Sequence, residues 1–366
     1  MSADPHPRRL SWTRVVPPVS LLALVLVWGR HPGVVGLSVV AVVLAAAVLA
    51  AVHHAEVVAH RVGEPYGSLV LAVAVTVIEV ALILTLMVSG GKDTSVLARD
   101  TVFAAVMITC NGIVGLCLLT GAIRFGTTHF NAEGTGAALA TVVTLATTCL
   151  VLPDFTTTTP GPEFSGSQLA FVAVASLTLY VMFVVTQTVR HRDFFLPVTS
   201  GGDLLAEDEH AARPSDRRAL TSLGLLLVSL VAVVGLAKVE SSPIEDAVAS
   251  LGLPQAVVGV IIALLVLLPE SIAAFNAARR GRTQISLNLA LGSAMASIGL
   301  TIPTIAVASI WLDGPLRLGL DPTHIVLLAL TSVVSVLTVV PGRATRLQGG
   351  VHLVVLAAFL VLTLQP

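Results

Sequence analysis

The chain is poor in charge. Of its 366 residues only 11% are Asp, Glu, Lys or Arg, where a soluble protein carries about 25%. It has too few charges to coat a water-exposed surface of that size, so a soluble globular fold is excluded. Aromatic residues make up only 4%. Cysteine occurs three times, as Cys110, Cys117 and Cys149, each inside an apolar run and without metal-ligand spacing. That excludes a disulfide framework and reads as small buried side chains. The formal net charge is -1, so no overall field draws the chain to nucleic acid. No nucleophile–histidine–acid set and no HExxH stands in the sequence. The segments "GGKD" (90–93) and "NGIVG" (111–115) follow no strand and are not nucleotide loops. No enzyme chemistry, cofactor or nucleotide partner is expected.

What the chain has is apolar length. It is 55% hydrophobic, with a mean hydropathy of +0.94. Apolar runs of roughly 18 or more residues recur from end to end, the signature of bilayer-spanning helices. The composition therefore predicts an all-α polytopic membrane protein whose partner is the lipid bilayer. Eleven spans are expected, at roughly 15–29, 33–52, 66–90, 100–121, 134–152, 167–189, 218–238, 253–277, 284–311, 323–340 and 349–364. The N-terminal "MSADPHPRRLSWTR" is basic and precedes an apolar run, but has no small-residue cleavage site. It reads as the start of a retained first helix. With the N-terminus in the cytoplasm, fifteen of the twenty Lys and Arg fall on the cytoplasmic side. Only Arg30, Lys92, Arg99, Lys238 and Arg317 fall on the other. The positive-inside rule then supports N-terminus in and C-terminus out.

The sequence repeats itself. In "AEVVAHRVGEPYGSLVLAVAVTVIEV" (55–80), Glu56 precedes Gly63 by seven residues, and Pro65 follows two later. In "IEDAVASLGLPQAVVGVIIALLVLLPES" (244–271), Glu245, Gly252 and Pro254 keep the same spacing. An apolar span follows each, with one carboxylate inside it: Glu79 in the first, Glu270 in the second. An odd number of helices per repeat forces the second to cross the bilayer inverted. Two inverted repeats around a midplane site are a recurring transporter plan. The expected division is a tail and first helix over 1–30, one five-helix repeat over 31–190, a cytoplasmic acidic loop over 191–217, and the second repeat over 218–366.

A carboxylate deep in a bilayer costs at least roughly 2.5–3.5 kcal/mol unless something compensates it. Protonation is one compensation, because burial penalises the charged form. Pairing with a cation is another. A site that alternates between the two is a cation/proton exchanger. The competing reading is a helix–helix hydrogen bond from a protonated glutamate. Around the carboxylates stand oxygen donors: Thr76 three residues before Glu79, Asn111 on the following span, Ser293 and Ser297 four apart on one face, and Asn288 nearer a span end. Pro269, before Glu270, removes a backbone donor and frees a carbonyl one turn earlier. An oxygen-only set suits a hard cation, and two carboxylates neutralise one divalent ion, so charge favours calcium over sodium.

Second-tier candidates lie near the membrane faces. His53, Glu56 and His60 share one helical face, with His54 beside them; they could gate the site, relay protons or cap an interface. Glu56 and Glu245 occupy matched repeat positions and are candidates for a cavity mouth, with Glu240 a weaker one. The run "DLLAEDEHAARPSD" (203–216) reads as a solvated acidic linker.

The segments "HAEVVAHRVGEPYGSLVLAVAVTVIEVALI", "RDTVFAAVMITCNGIVGL", "QTVRHRDFF" and "LLPESIAAFNAARRGRTQISLNLALGSAMASIGLTIP" resemble bacterial calcium/proton antiporters of the cation/calcium exchanger superfamily. The resemblance covers the chain from about residue 33. It implies a leading helix plus two inverted five-helix repeats, with Glu79 and Glu270 as the paired glutamates that bind Ca2+ and couple it to H+. Asn111, Ser293 and Ser297 would be the polar positions of the partner helices. It also implies a bacterial cytoplasmic membrane, and Na+ or K+ exchange as the alternative within the same fold. The chain departs from symmetry at one point: Pro269 precedes Glu270, but Ile78 precedes Glu79.

Overall fold

A computed structural model describes residues 11–30, 32–63, 66–89, 94–198, 214–311 and 314–365. Most of the predicted acidic run (203–213 of 203–216), the "GGKD" segment and Pro65 lie outside the described residues. The described chain folds into helical rods joined by short turns. They are α1 (Trp12–Val27), α2 (Val34–Val62), α3 (Tyr66–Ser89), α4 (Leu97–Phe125), α5 (Ala132–Phe155), α6 (Gly166–Arg190), α7 (Asp216–Ser250), α8 (Ala256–Arg279), α9 (Thr283–Ala308), α10 (Pro322–Val339) and α11 (Arg346–Leu364). Among the described residues, nine helices are long and apolar enough to cross a membrane, and Trp12–Val27 and Val73–Val88 are shorter apolar helices. The protein is therefore all-α and polytopic. Helices satisfy their own backbone hydrogen bonds, which the bilayer core demands.

Two helices run further than the hydropathy suggests. α2 continues to Val62 and α7 to Ser250. Hydropathy fades at the membrane surface, but the backbone keeps its ladder until a residue can break it. That residue is Gly63 (φ 77°) for α2 and Gly252 (φ 67°) for α7, both in the left-handed region that favours glycine. Pro243 removes one hydrogen bond without ending α7. His53, His54, Glu56, His60, Glu240 and Glu245 thus all ride on helices. Three rods contain a π-helical turn: Ile108–Ile113 in α4, Thr147–Val151 in α5 and Thr186–Arg190 in α6.

The helices pack around two apolar cores. One joins α4, α5, α6, α9, α10 and α11 through residues such as Met107, Leu145, Met295 and Phe359. The other joins α1, α2, α3 and α7 through Leu24, Ala47, Ile78 and Leu236. α8 belongs to both: Val258, Ile262 and Val266 face the second core, while Ala263, Leu267 and Ala274 face the first. α3, packed in the second core, also lies against α9 of the first. The helices that carry the predicted glutamates therefore stand at the seam between the cores. Close backbone approaches hold the seam. A Cβ built on Gly259 of α8 would lie 2.9 Å from Asp100 C and Thr101 N of α4.

Two short antiparallel pairings link the connecting segments. Thr128–His129, after α4, pairs with Arg343–Ala344, before α11. Glu163, before α6, bridges to Arg317, before α10.

Candidate cation site

Glu79 projects from α3 and is 4% exposed. The Ser297 hydroxyl on α9 donates to Glu79 Oε1 over 2.5 Å. Thr301, one turn further along α9, is fully buried beside the same carboxylate, and its Oγ1 has no well-formed hydrogen bond. Thr76 is buried one turn before Glu79 on α3. A carboxylate, two hydroxyls on one helix face and a third on its own helix thus gather in a dry environment, where each unmade polar interaction is costly.

Glu270 projects from α8 and is half-buried. Its Oε2 is buried without a hydrogen-bond partner. Pro269 beside it has no N–H to give the Leu265 carbonyl. Glu79 and Glu56 both lie within electrostatic reach of Glu270. Glu270 also lines an open cavity, with Val75, Tyr180, Gln187, Asn288 and Ser293 among its walls. The cavity lies between α6 and α9 and extends toward the ends marked by Arg190 and Arg282. The two carboxylates are unequal. Glu79 is enclosed and hydrogen-bonded; Glu270 opens to a cavity with one oxygen unmatched.

Four predicted positions therefore come together with the glutamates: Thr76 and Ser297 at Glu79, and Ser293 and Asn288 in the cavity wall. Asn288, however, spends its amide on the scaffold. Its Nδ2 donates to Phe195 O (2.7 Å), and its Oδ1 accepts from Gln284 Nε2 (2.8 Å). Asn111 is hydrogen-bonded to other helices. It lies in the π turn of α4, donates to Thr331 Oγ1 (2.9 Å) and meets His352 Nδ1 at 3.1 Å, while His352 Nε2 meets Thr338 Oγ1 at 3.1 Å. This buried network ties α4 to α10 and α11. The Asn111 amide, which can both donate and accept, has a protein partner at each end in this arrangement.

The face residues divide likewise. His54 Nε2 lies 2.8 Å from Thr13 O, tying α2 to α1. His53 Nδ1 is 4.0 Å from Glu56, both half-exposed, and His60 is exposed. Glu240 is buried on α7 with Oε1 lacking a hydrogen bond, and Glu245 is partly buried one turn beyond. Among the described residues, no group of three or more His, Cys, Asp or Glu is gathered in metal-binding geometry. A cation at Glu79 and Glu270 would need hydroxyl and carbonyl oxygens to complete its shell, as hard ions accept. Sequence reasoning missed Thr301, Tyr180 and Gln187. Thr301 was within reach of it, since it extends the Ser293–Ser297 stripe by another four residues.

Comparison with known proteins bears on the family and the fold. The sodium/calcium exchanger protein family matches residues 31–189 and again 221–365. The chain is 48% identical to the putative ionic transporter y4hA of Sinorhizobium fredii, over 88% of this chain and 87% of that one. It is 33% identical to the sodium-potassium/proton antiporter ChaA of Escherichia coli, over 95% of each. Its fold is similar to that of native YfkE, elsewhere described as a Ca2+/H+ antiporter, with a TM-score of 0.71 at 15% identity over 97% of this chain and 99% of that one. The chain belongs to the sodium/calcium exchanger protein family.

Proposed function

We propose that the chain is a secondary active antiporter that exchanges cytoplasmic Ca2+ for external H+ at a midplane site built on Glu79 and Glu270. The observation that carries this reading is the pair of intramembrane carboxylates on α3 and α8, at the seam between two separately packed cores. A seam can open on either side, and two carboxylates can hold two protons or one divalent cation. Thr76, Ser293, Ser297 and Thr301 supply further oxygens.

Several features support two inverted repeats, α2–α6 and α7–α11, after a leading helix. The family matches each half separately. Contacts between helices pair off when the halves are exchanged: α3 with α9 answers α8 with α4, and α6 with α9 answers α11 with α4. The Thr128–Ala344 pairing is likewise answered by the Glu163–Arg317 bridge. Eleven membrane crossings, N-terminus in the cytoplasm, follow from this plan and from the arginine bias. The bacterial relatives point to a bacterial cytoplasmic membrane.

In the cycle, the cavity beside Glu270 admits a cation from the cytoplasmic side. It displaces protons from Glu79 and Glu270, which leave through the same cavity. Glu56, half-exposed and within electrostatic reach of Glu270, is the candidate at the mouth; Glu245 and Glu240 are its counterparts on the outer side. The core carrying α1, α2 and α7 then shifts against the other, the site opens outward, and external protons release the ion. The 33% identity to a sodium-potassium/proton antiporter favours Na+ or K+ as the second reading.

The test is proton flux in proteoliposomes under an imposed pH gradient, after separate addition of Ca2+, Na+, K+ or Mg2+. Ca2+-triggered flux that is lost in both Glu79→Gln and Glu270→Gln is expected. A response to Na+ or K+ alone selects the second reading. No flux with any cation from folded protein would sink both.

A further inference from the structure

Helices α6 and α9 touch at one level and part at another. A Cβ built on Gly299 of α9 would lie 2.8 Å from Tyr180 Cβ of α6. Seven residues earlier in α9, at Gly292, a Cβ would meet nothing within 4 Å. Gly292 lines the open cavity beside Glu270, and so does Gln187, seven residues beyond Tyr180 on α6. Tyr180 thus stands where the two helices close on each other, and Gln187 where they have parted.

The polar groups around this cavity fall into two classes. Some are taken up by the protein. Thr186 and Thr188, on either side of Gln187, donate to Met182 O (2.8 Å) and Val184 O (2.6 Å), and Asn288 is held at both ends of its amide. Others are left over. Tyr180 is 4% exposed, yet its phenol makes no hydrogen bond among the described residues. Gln187, half-buried in the π turn of α6, and Ser293 of α9 make none among them either. Glu270 Oε2 completes the set. Polar groups left unpaired in a largely apolar wall call for an occupant that pairs them, and π turns are frequent at functional sites. Among the described lining residues there is no Lys, Arg or His, so the one ionisable carboxyl is Glu270's. A phenol, a hydroxyl, an amide carbonyl and a carboxylate are hard oxygens, the donors that replace water around a hard cation.

We propose that Tyr180, Gln187 and Ser293 form an access site that holds a partly hydrated hard cation in the cavity before it reaches the paired glutamates. Gln187 supplies the specificity-determining oxygen. It is neutral, so it takes the cation without exchanging a proton for it. The purpose of the site rests on the antiporter reading; the binding itself does not require transport.

The test uses Tb3+ as the probe, because it takes hard-oxygen ligands and emits when a nearby excited aromatic ring passes its energy on. The full chain in detergent carries Trp12→Phe, Trp28→Phe, Trp311→Phe and Tyr66→Phe, which leaves Tyr180 as the single sensitiser. Saturable Tb3+ emission excited through Tyr180 is expected, and it should survive Glu79→Gln. Gln187→Leu should raise the half-saturating Tb3+ concentration about tenfold, the size of one lost contact to a charged group. Gln187→Glu should lower it, and shifts in opposite directions do not both come from misfolding. Three outcomes overturn the proposal: no saturable emission, emission lost in Glu79→Gln, or a half-saturation that Gln187→Leu leaves unchanged. Proton flux separates the two readings. Gln187-dependent emission without flux for any cation keeps the access site and fails the antiporter. Flux in the parent with no effect of Gln187→Leu on emission fails the access site alone.

Discussion

The Ser297 hydroxyl donates to the Glu79 carboxylate over 2.5 Å, joining α9 to α3 across 218 residues of chain. The bond ties a buried carboxylate of one core to the helix that lines the cavity of the other. Glu270 differs: among the described residues its buried Oε2 has no hydrogen-bond donor. The two halves of the site are chemically unequal, so ion and proton need not treat the glutamates alike.

Removing that hydroxyl tests the pair. A hydrogen bond to a charged group contributes roughly 1.5–3 kcal/mol. Ser297→Ala is therefore expected to raise the cation concentration for half-maximal proton flux by about tenfold or more, and Ser297→Thr should recover much of it. An unchanged concentration dependence in Ser297→Ala would remove Ser297 from the ion's surroundings.

Asn111 is expected to act on stability, not on affinity. Asn111→Ala orphans Thr331 and His352 in a region where both are buried, a loss of about 1–3 kcal/mol. Thermal unfolding in detergent should shift downward while the apparent cation affinity holds. The opposite pattern, affinity lost at constant Tm, would return Asn111 to the ion's shell.

Asp321 caps α10, accepting from the His324 backbone N–H at 3.0 Å, and its Oδ2 lies 2.7 Å from His324 Nδ1. The His324 side chain is the main reason its carboxyl is held down to about 2, against the opposing effect of burial. A carboxyl depressed in the folded chain stabilises it above its unfolded value, near 3.9. That contribution fades as pH falls through about 2. Asp321→Asn keeps a capping oxygen but not the charge. The stability difference between the parent and Asp321→Asn should therefore shrink as pH falls from about 4 to about 2. A difference that does not change across that range would exclude the Asp321 carboxylate as its source.

The seam tolerates little extra volume. Gly259→Ala places a methyl 2.9 Å from the α4 backbone at Asp100 and Thr101 and should cost about 1–3 kcal/mol. At Gly350 of α11 a Cβ meets nothing within 4 Å. Gly350→Ala should be neutral or stabilise by up to about 1 kcal/mol, as expected for a helix interior. Equal melting temperatures for the two variants would contradict the close approach of α8 and α4.

Much of the architecture was legible because the bilayer simplifies the code. Apolar length marks a helix, arginine bias marks a side, and a lone carboxylate in an apolar span is a costly exception that needs a reason. Glu79 and Glu270 stood out on that ground alone. The matched spacing of Gly63 and Gly252 was also readable, and each closes a helix at positive φ. The helix ends at Val62 and Ser250 were not, because hydropathy fades at the surface while the helical ladder goes on.

The amides and histidines were the hard part. Asn111, Asn288 and His54 are polar groups in apolar surroundings; from the sequence the two amides could face an ion, and His54 could gate the site, relay protons or cap an interface. Each instead finds a protein partner. Asn111 meets Thr331, 220 positions away, and His352, 241 away; Asn288 reaches Phe195, 93 away; His54 reaches Thr13, 41 away. A buried donor or acceptor takes whichever partner the packing brings, and that partner lies far away in the chain.

The sequence by itself determined that this is a membrane-embedded helical protein with two carboxylates buried at a cost. Composition and spacing are properties of one chain read along its length. The tertiary structure alone decided which oxygens reach those carboxylates, that Glu79 is enclosed while Glu270 opens to a cavity, and that both stand on helices between two cores. Those outcomes depend on distances between helices far apart in the chain, and such distances are set by packing.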